Sequence, residues 1–167
     1  SMNNKREKKI VAIWAEDDRH LIGVKGSLPW HLPKELNHFK EMTMGQALLM
    51  GRVTFDGMNR RVLPGRDTLI LTHDPQFKAE GVSIVHSVPE ALSWYKSLFI
   101  VGGASIYKAF ESYYDKIIKT SVHGQFEGDT YFPLRDFSSF QEISQAFFEK
   151  DENNSHDFTV TVLEKKE

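Results

Sequence analysis

The sequence predicts an α/β fold built on a mixed β-sheet, and three observations carry that expectation. Ile10-Val11-Ala12-Ile13-Trp14-Ala15 and Ala47-Leu48-Leu49-Met50 are continuous apolar runs, the pattern of strands covered on both faces. Strand-like and helix-like segments alternate as far as Tyr113. Beyond it, residues 116–122, 140–148 and 158–163 read as long strands with no helix between them. Parallel βαβ units followed by consecutive strands imply a sheet with an antiparallel edge.

The first run is the first strand, and a polar loop from Glu16 to His20 leads on to Leu21-Ile22-Gly23. Next comes Leu28-Pro29-Trp30-His31-Leu32-Pro33-Lys34-Glu35-Leu36, two prolines around a tryptophan. Pro33 suits the first position of a helix, where its missing N–H leaves no bond unmade. That helix should run to about Met42, with Glu35 in its first turn and Leu36 and Phe39 at helical spacing. Residues 47–50 form the second strand, ending at Gly51-Arg52, and Val53-Thr54-Phe55 starts a short helix broken near Gly57. From Arg60 to Arg66 the chain loops, turning at Pro64-Gly65. Its arginines read as a solvated edge or as an anion site. Residues 68–72 and 82–85 are the third and fourth strands. Ser87-Val88-Pro89-Glu90 has the capping-box pattern and opens a helix to about Lys96. The fifth strand, 98–101, runs into Gly102-Gly103, and residues 104–113 return as a helix with Ile106, Tyr107 and Phe110 on one side. Glu127-Gly128-Asp129-Thr130 reads as a turn. Asn153-Asn154-Ser155 matches a glycosylation sequon but reads as a polar turn.

At 167 residues, 40% apolar and 26% charged, the chain suits one domain with a full hydrophobic core. A net charge of −2 gives no reason to expect nucleic acid or an anionic membrane as partner. The absence of cysteine excludes a disulfide frame, a thiolate nucleophile and a zinc–thiolate site, and it fits a reducing compartment. No apolar run approaches the ~20 residues that span a bilayer. Lys5-Arg6-Glu7-Lys8-Lys9 precedes a run too short for a signal peptide, and Ser1-Met2 reads as an addition at the natural start. A cytoplasmic protein is expected.

Three strand ends carry suggestive residues: Gly51-Arg52, Thr72-His73 and Gly102-Gly103. Ligands of open α/β sheets bind beyond the carboxyl ends of the strands. Gly102-Gly103 lacks the third glycine of a dinucleotide fingerprint, so by itself it also reads as a tight turn. Arg52 and His73 read as a phosphate-holding pair or as two solvated side chains. Glu35 is open in the same way. It either interacts with a helix dipole, worth about 0.3–1 kcal/mol, or is a desolvated carboxyl that binds or protonates a ligand. No histidine pair has helix-borne metal spacing and none adjoins a nucleophilic serine, so no metal site is expected.

Together these residues resemble the dihydrofolate reductase family, bacterial type, from Ile10 to the C-terminus. The motifs stand in family order: Trp14-Ala15, Ile22-Gly23, Leu28-Pro29-Trp30 with Leu32-Pro33, and Met50-Gly51-Arg52 with Thr54. They continue with Leu63-Pro64-Gly65-Arg66, Val101-Gly102-Gly103 with Tyr107, and Glu127-Gly128-Asp129-Thr130. The resemblance implies one α/β domain with a central, mostly parallel eight-stranded sheet, an antiparallel C-terminal strand and about four flanking helices. Residues from about 46 to 95 would form an adenosine-binding subdomain. The implied reaction is NADPH-dependent reduction of 7,8-dihydrofolate to tetrahydrofolate, by hydride transfer to pterin C6 and protonation of N5. Dihydrofolate and antifolate inhibitors are the implied partners of a monomer that binds neither nucleic acid nor membrane.

Residue by residue, the resemblance implies that Glu35 bonds the pterin's 2-amino group and ring nitrogen, and that Thr120 bonds Glu35 or a nearby water. A water near Trp30 and Leu28 would bring the proton to N5. Ile13, Leu28, Leu36, Phe39, Met58, Leu63 and Val101 would wall the pterin and benzoyl rings, with Trp14, Ala15 and Tyr107 also at the substrate. Arg66 would grip a carboxylate of the glutamate tail. For NADPH, Thr54, Gly103, Ala104, Ser105 and Ile106 would meet the pyrophosphate, and Arg52, Thr72 and His73 the 2′-phosphate. Ala15 and Ile22 would lie at the nicotinamide, with Gly23, Gly51, Val53, Leu71, Gly102, Tyr107 and Thr130 completing the cofactor set. A cis bond is implied between Gly102 and Gly103. The chain departs from the pattern with Val62 in place of a proline, Ala104-Ser105 after the glycines, and Asp74 beside the phosphate position. A same-fold reductase of another heterocycle, such as the pyrimidine intermediate of riboflavin synthesis, and a non-catalytic nucleotide-binding module are the alternatives.

Overall fold

The computed structural model describes residues 9–134 and 136–167, so Lys5 to Lys8 of the basic run lie outside it. In chain order the elements are β1 (Lys9–Glu16), β2 (Leu21–Gly23), α1 (Pro33–Thr43), β3 (Ala47–Gly51), α2 (Arg52–Gly57), β4 (Asp67–Leu71) and β5 (Ser83–Val85). They continue as α3 (Val88–Trp94), β6 (Ser97–Ile100), α4 (Ala104–Ala109), β7 (Lys116–Val122), β8 (Thr130–Tyr131), β9 (Phe140–Phe148) and β10 (Phe158–Lys165). No helix among the described residues is long and apolar enough to cross a membrane.

The main sheet has eight strands in the order β5-β4-β3-β6-β1-β7-β10-β9. Every pairing from β5 to β7 is parallel, whereas β10 runs antiparallel to both β7 and β9. The reversed C-terminal strand therefore lies one place inside the edge, which β9 occupies. A hairpin brings β9 and β10 together, and β10 then slots between β9 and β7.

Period-two alternation divides β1 between two cores. Ile10, Ala12 and Trp14 pack with Ile106, Tyr107 and Phe110, while Val11, Ile13 and Ala15 pack with Trp30, Leu32, Phe39 and Met42. The connection from β1 thus crosses one face through α1, and the connection from β6 crosses the other through α4. Adjacent strands whose connections leave on opposite faces make a topological switch point, here between β1 and β6. Their register runs from Lys9↔Ser97 to Ala12↔Ile100, leaving a crevice beyond those residues.

Element ends depart from the sequence reading in three places. The final helix stops at Ala109, because Glu111 and Tyr113 N–H bond three residues back, to Lys108 and Phe110, and the chain continues as turns. The helix after Ser87 stops at Trp94 rather than near Lys96. Leu21–Gly23 and Thr130–Tyr131, to which the sequence assigns no strand, pair as a two-stranded sheet too short to carry periodicity.

Candidate active site

Pro33 opens α1, and its first turn carries Glu35 into the core, where the residue is 7% exposed. Opposite it, Thr120 on β7 is 1% exposed and donates its hydroxyl to Glu35 Oε2 at 2.8 Å. Thr120 lies on the same β7 face as Ile118 and Val122, which join Ile13, Ala15, Trp30 and Leu32 in one buried cluster. Partly buried Phe39, Leu63 and Val101 pack against it. Burial raises the Glu35 carboxyl to about 7, the Thr120 hydrogen bond pulling the other way. No ion pair to Glu35 forms among the described residues. Such a group is poised to exchange a proton near neutrality, or to pair with a cationic edge that enters the pocket. Trp30 packs edge-on against Phe126 at 5.2 Å, and its buried Nε1 has no acceptor among the described residues.

Thr120 pairs with Ala15 on β1, three residues past the last β1–β6 partner, Ala12, where the crevice opens. Past the last β1–β6 partners, the Ile13 carbonyl accepts from the Tyr107 hydroxyl at 2.8 Å, so α4 supplies the bond that the diverging strand does not. Burial first, then the neighbouring Tyr114 and Glu35, hold the Tyr107 phenol well above its usual range, so it stays a donor. The Gly102–Gly103 peptide bond is cis. Gly51 N donates to the Gly102 carbonyl at 2.8 Å, tying the end of β3 to the residues after β6. A side chain at Gly51 would meet Ile106 Cγ1 at 2.8 Å, and one at Gly102 would meet Thr54 Oγ1 at 3.2 Å. The glycines therefore let three segments approach at the strand ends.

Farther along that edge, exposed Arg52 reaches Asp74 Oδ2 at 3.2 Å and Asp56 Oδ2 at 4.0 Å, with its guanidinium 4.7 Å from the Phe77 ring centre. His73 is exposed, and the Thr72 hydroxyl accepts from Asp74 N. Arg66 differs in kind. It is 9% exposed, donates Nε to the Pro64 carbonyl at 3.1 Å, and forms no ion pair among the described residues.

Ile13, Ala15, Trp30, Phe39, Leu63 and Val101 thus gather about Glu35, while Met58 packs on the adjoining cluster with Val101. Leu28 and Leu36 are exposed, so Leu36 does not shield Glu35 as its helical spacing suggested. Trp14 corrects the sequence reading. Strand alternation turns its indole to the opposite face, stacked on Phe132 at 3.8 Å and donating to Glu16, so it is no wall of this pocket. The Tyr107 ring shares that face and reaches the crevice only through its hydroxyl. Of the cofactor set, Gly23 and Thr130 lie on the β2–β8 pair, Ile22 packs on the far core, Leu71 is buried, and Val53 and Ser105 are exposed. Ala104 begins α4. An open groove of about 420 Å³ on the Trp14 face, bordered by Lys119, His123 and Glu142, holds none of the residues around Glu35.

Three residues to which the sequence reading gave no role at the site serve this region. Phe126 packs on Trp30. Asp17, 2% exposed, accepts N–H bonds from Arg19, Leu21 and Phe126, and these hold its carboxyl below its usual range against the effect of burial. Asn154 Oδ1 accepts from Lys34 N at 2.9 Å, at the start of α1. Only the last left a trace in the sequence: Leu32 stands at the N-cap of α1 and has no side-chain oxygen to offer.

The chain matches the family model described as dihydrofolate reductase over residues 9–165. A dihydrofolate reductase of Lactococcus lactis is 52% identical over 163 residues, covering 93% of this chain and 97% of that protein. One from Bacillus subtilis is 38% identical, covering 94% and 95%. Among solved structures, a dihydrofolate reductase from Enterococcus faecalis complexed with NADP(H) and RAB-propyl superposes with a TM-score of 0.92 at 38% identity, covering 95% of this chain and 97% of that one. With a family model spanning nearly the whole chain and relatives matched end to end, the chain belongs to the dihydrofolate reductase family.

Proposed function

We propose that this chain reduces 7,8-dihydrofolate to tetrahydrofolate with NADPH, and that Glu35 is the carboxyl that binds the pterin. The observation that carries the assignment is the Glu35–Thr120 pair, a carboxyl with no other partner among the described residues, against an apolar cluster beside the β1–β6 switch point. Two features of the crevice fit a dinucleotide. Bare glycines at 51 and 102 bring backbone from β3, β6 and α4 together with the Thr54 hydroxyl, and Arg52 with His73 stands farther out along the same strand ends. NADPH, when bound, supplies the hydride that goes to pterin C6.

The protein supplies alignment, water exclusion and one carboxyl. Glu35 takes the 2-amino and ring-nitrogen edge, and its ionised form favours a pterin carrying an added proton. Thr120 holds Oε2 and thereby sets which way the carboxyl faces. Ile13, Phe39, Leu63 and Val101 offer apolar surface to the rings, while Leu28 and Trp30 border the path of a water that protonates N5. Arg66 takes the tail carboxylate. Arg52, Thr72 and His73 take the 2′-phosphate, with Asp74 competing for Arg52. Residues from about 46 to 95 form the adenosine-binding part. The protein acts as a cytoplasmic monomer and binds antifolates in the pterin pocket. A same-fold reductase of another heterocycle is disfavoured, because it has no use for Leu28-Pro29-Trp30, Glu35 and Arg66 together.

The test is NADPH oxidation with dihydrofolate across pH, for wild type, Glu35→Gln and Glu35→Asp. Glu35→Gln should lower kcat/KM at least about a hundredfold near neutral pH, the lower end of general acid–base effects. The loss should shrink in acid, where substrate is protonated without help, and NADPH affinity should change little. Glu35→Asp should retain more activity. A Glu35→Gln enzyme within a few-fold of wild type at pH 7 would reduce Glu35 to a helix-terminal charge.

A further inference from the structure

The N-caps of α2 and α4 are glycines and α3 is capped by Ser87 within its own segment, whereas the only side chain that meets the first turn of α1 among the described residues comes from far along the chain. The N-cap of α1 is Leu32 and no side chain within the segment caps it. Pro33 has no N–H to satisfy, and the N–H groups of Glu35 and Leu36 both bond to the Leu32 carbonyl. The remaining first-turn N–H, that of Lys34, is met from 120 residues away by Asn154 Oδ1 at 2.9 Å.

We propose that Asn154 is a positioning residue for the reaction: its side-chain amide, presented by the β9–β10 turn, caps α1 and holds Glu35 in place against Thr120. The inference rests on the reading of Glu35 given above. Asn154 is 3% exposed and is itself held on every side. Its Nδ2 donates to Asp151 Oδ1 at 2.9 Å, its backbone N–H reaches the same oxygen at 2.9 Å, and Asp151 N donates to its carbonyl at 3.0 Å. Asp151 in turn binds Lys34 Nζ at 2.9 Å, so the turn grips Lys34 through both backbone and side chain.

The sheet carries this grip to the other half of the pair. A few residues after Asn154 the chain enters β10, where Val160 is the partner of Thr120 on β7. The turn holding the helix and the strand paired with Thr120's own strand are therefore one continuous piece of chain. Glu35 follows Lys34 directly, so releasing the Lys34 N–H frees the turn that sets the 2.8 Å Glu35–Thr120 bond. A capping side chain acts on the first turn of its helix and little beyond it. The effect falls on the turn that carries Glu35.

The experiment measures kcat/KM for dihydrofolate, NADPH affinity and thermal unfolding in a cycle built on Asn154→Ala and Glu35→Gln. Asn154→Ala should lower kcat/KM about five- to tenfold, what a cap of ordinary strength gives when felt in the transition state, and should leave NADPH affinity unchanged. Added to Glu35→Gln it should cost little more, because the two act through one group. If the alanine variant does not fold, Asn154→Ser, with its shorter reach, takes its place. Asn154→Asp alone sets a second carboxylate against Asp151 and should be impaired. Combined with Asp151→Asn, it restores an amide–carboxylate pair and should recover most of the activity. Wild-type kcat/KM in folded Asn154→Ala, an equal loss in the Glu35→Gln background, or no recovery in the exchanged pair would overturn the proposal. Wild-type activity in Glu35→Gln itself would instead overturn the reading of Glu35.

Discussion

Glu35 shows how one side chain can be set against the stability of its own fold. Its carboxyl is buried with one hydroxyl donor among the described residues, Thr120, and burial raises it to about 7 from about 4.5. A folded-state value above the unfolded one costs nothing below about pH 4.5, then costs progressively more until pH passes the folded value. Wild type should therefore lose stability relative to Glu35→Gln between those limits, by something of the order of 3 kcal/mol in full, and the difference should level off above them. Gln retains an oxygen to accept from Thr120, so the comparison isolates the charge. Denaturant melts of both proteins at pH 5 and pH 8 check this, and a difference that does not change with pH would contradict it. Trp14 carries the opposite lesson at this scale. Its family-like motif drew it toward the substrate, but its place on β1 points it away.

Among the elements, α2 and the loop before Leu28 meet with no side chain between them. A Cβ at Gly57 would lie 1.9 Å from the Gly26 carbonyl oxygen, a backbone atom that cannot swing aside. Ser27 Oγ also donates to the Gly57 carbonyl at 3.3 Å. Gly57→Ala should push the loop off α2, at a cost of about 1–3 kcal/mol, as for other overpacked contacts. NADPH affinity should fall with it, since the loop borders Ile22 and Gly23. Gly45 makes the control. Its φ is +79°, yet nothing lies within 4 Å of an added Cβ. Gly45→Ala should cost only the backbone strain, about 1–2 kcal/mol, and leave NADPH affinity alone. Thermal melts and cofactor titrations of the two variants distinguish contact from conformation.

Across the whole molecule, the two arginines lie in different settings, Arg52 at the start of α2 and Arg66 in the bend just before β4. Arg66 is buried without an acidic partner among the described residues, in the loop that carries Leu63, and Arg52 is exposed and shared between Asp74 and Asp56. Arg66→Leu should weaken dihydrofolate binding at least about tenfold with little change in NADPH, because a desolvated charge pair is costly to break. Arg52→Leu should weaken NADPH binding alone and by less, since its guanidinium is solvated and already paired. Titrating both variants with both ligands checks this, and equal losses everywhere would refute it. The order of strands and helices was legible in the sequence, because burial on one or two faces writes a period into each element, and the run of strands after Tyr113 announced the reversal in the sheet. So was the carboxyl, since Pro33 marks the start of α1 and places Glu35 in its first turn. What spacing could not give was any contact that depends on how distant elements are set together. The β2–β8 pair is too short to have a period, and the face on which the Trp14 indole lies depends on which helix crosses which side of β1. The oxygen that caps α1 comes from Asn154, 120 residues from Lys34. A leucine at the N-cap says that an acceptor must come from elsewhere, and only the packed sheet decides from where.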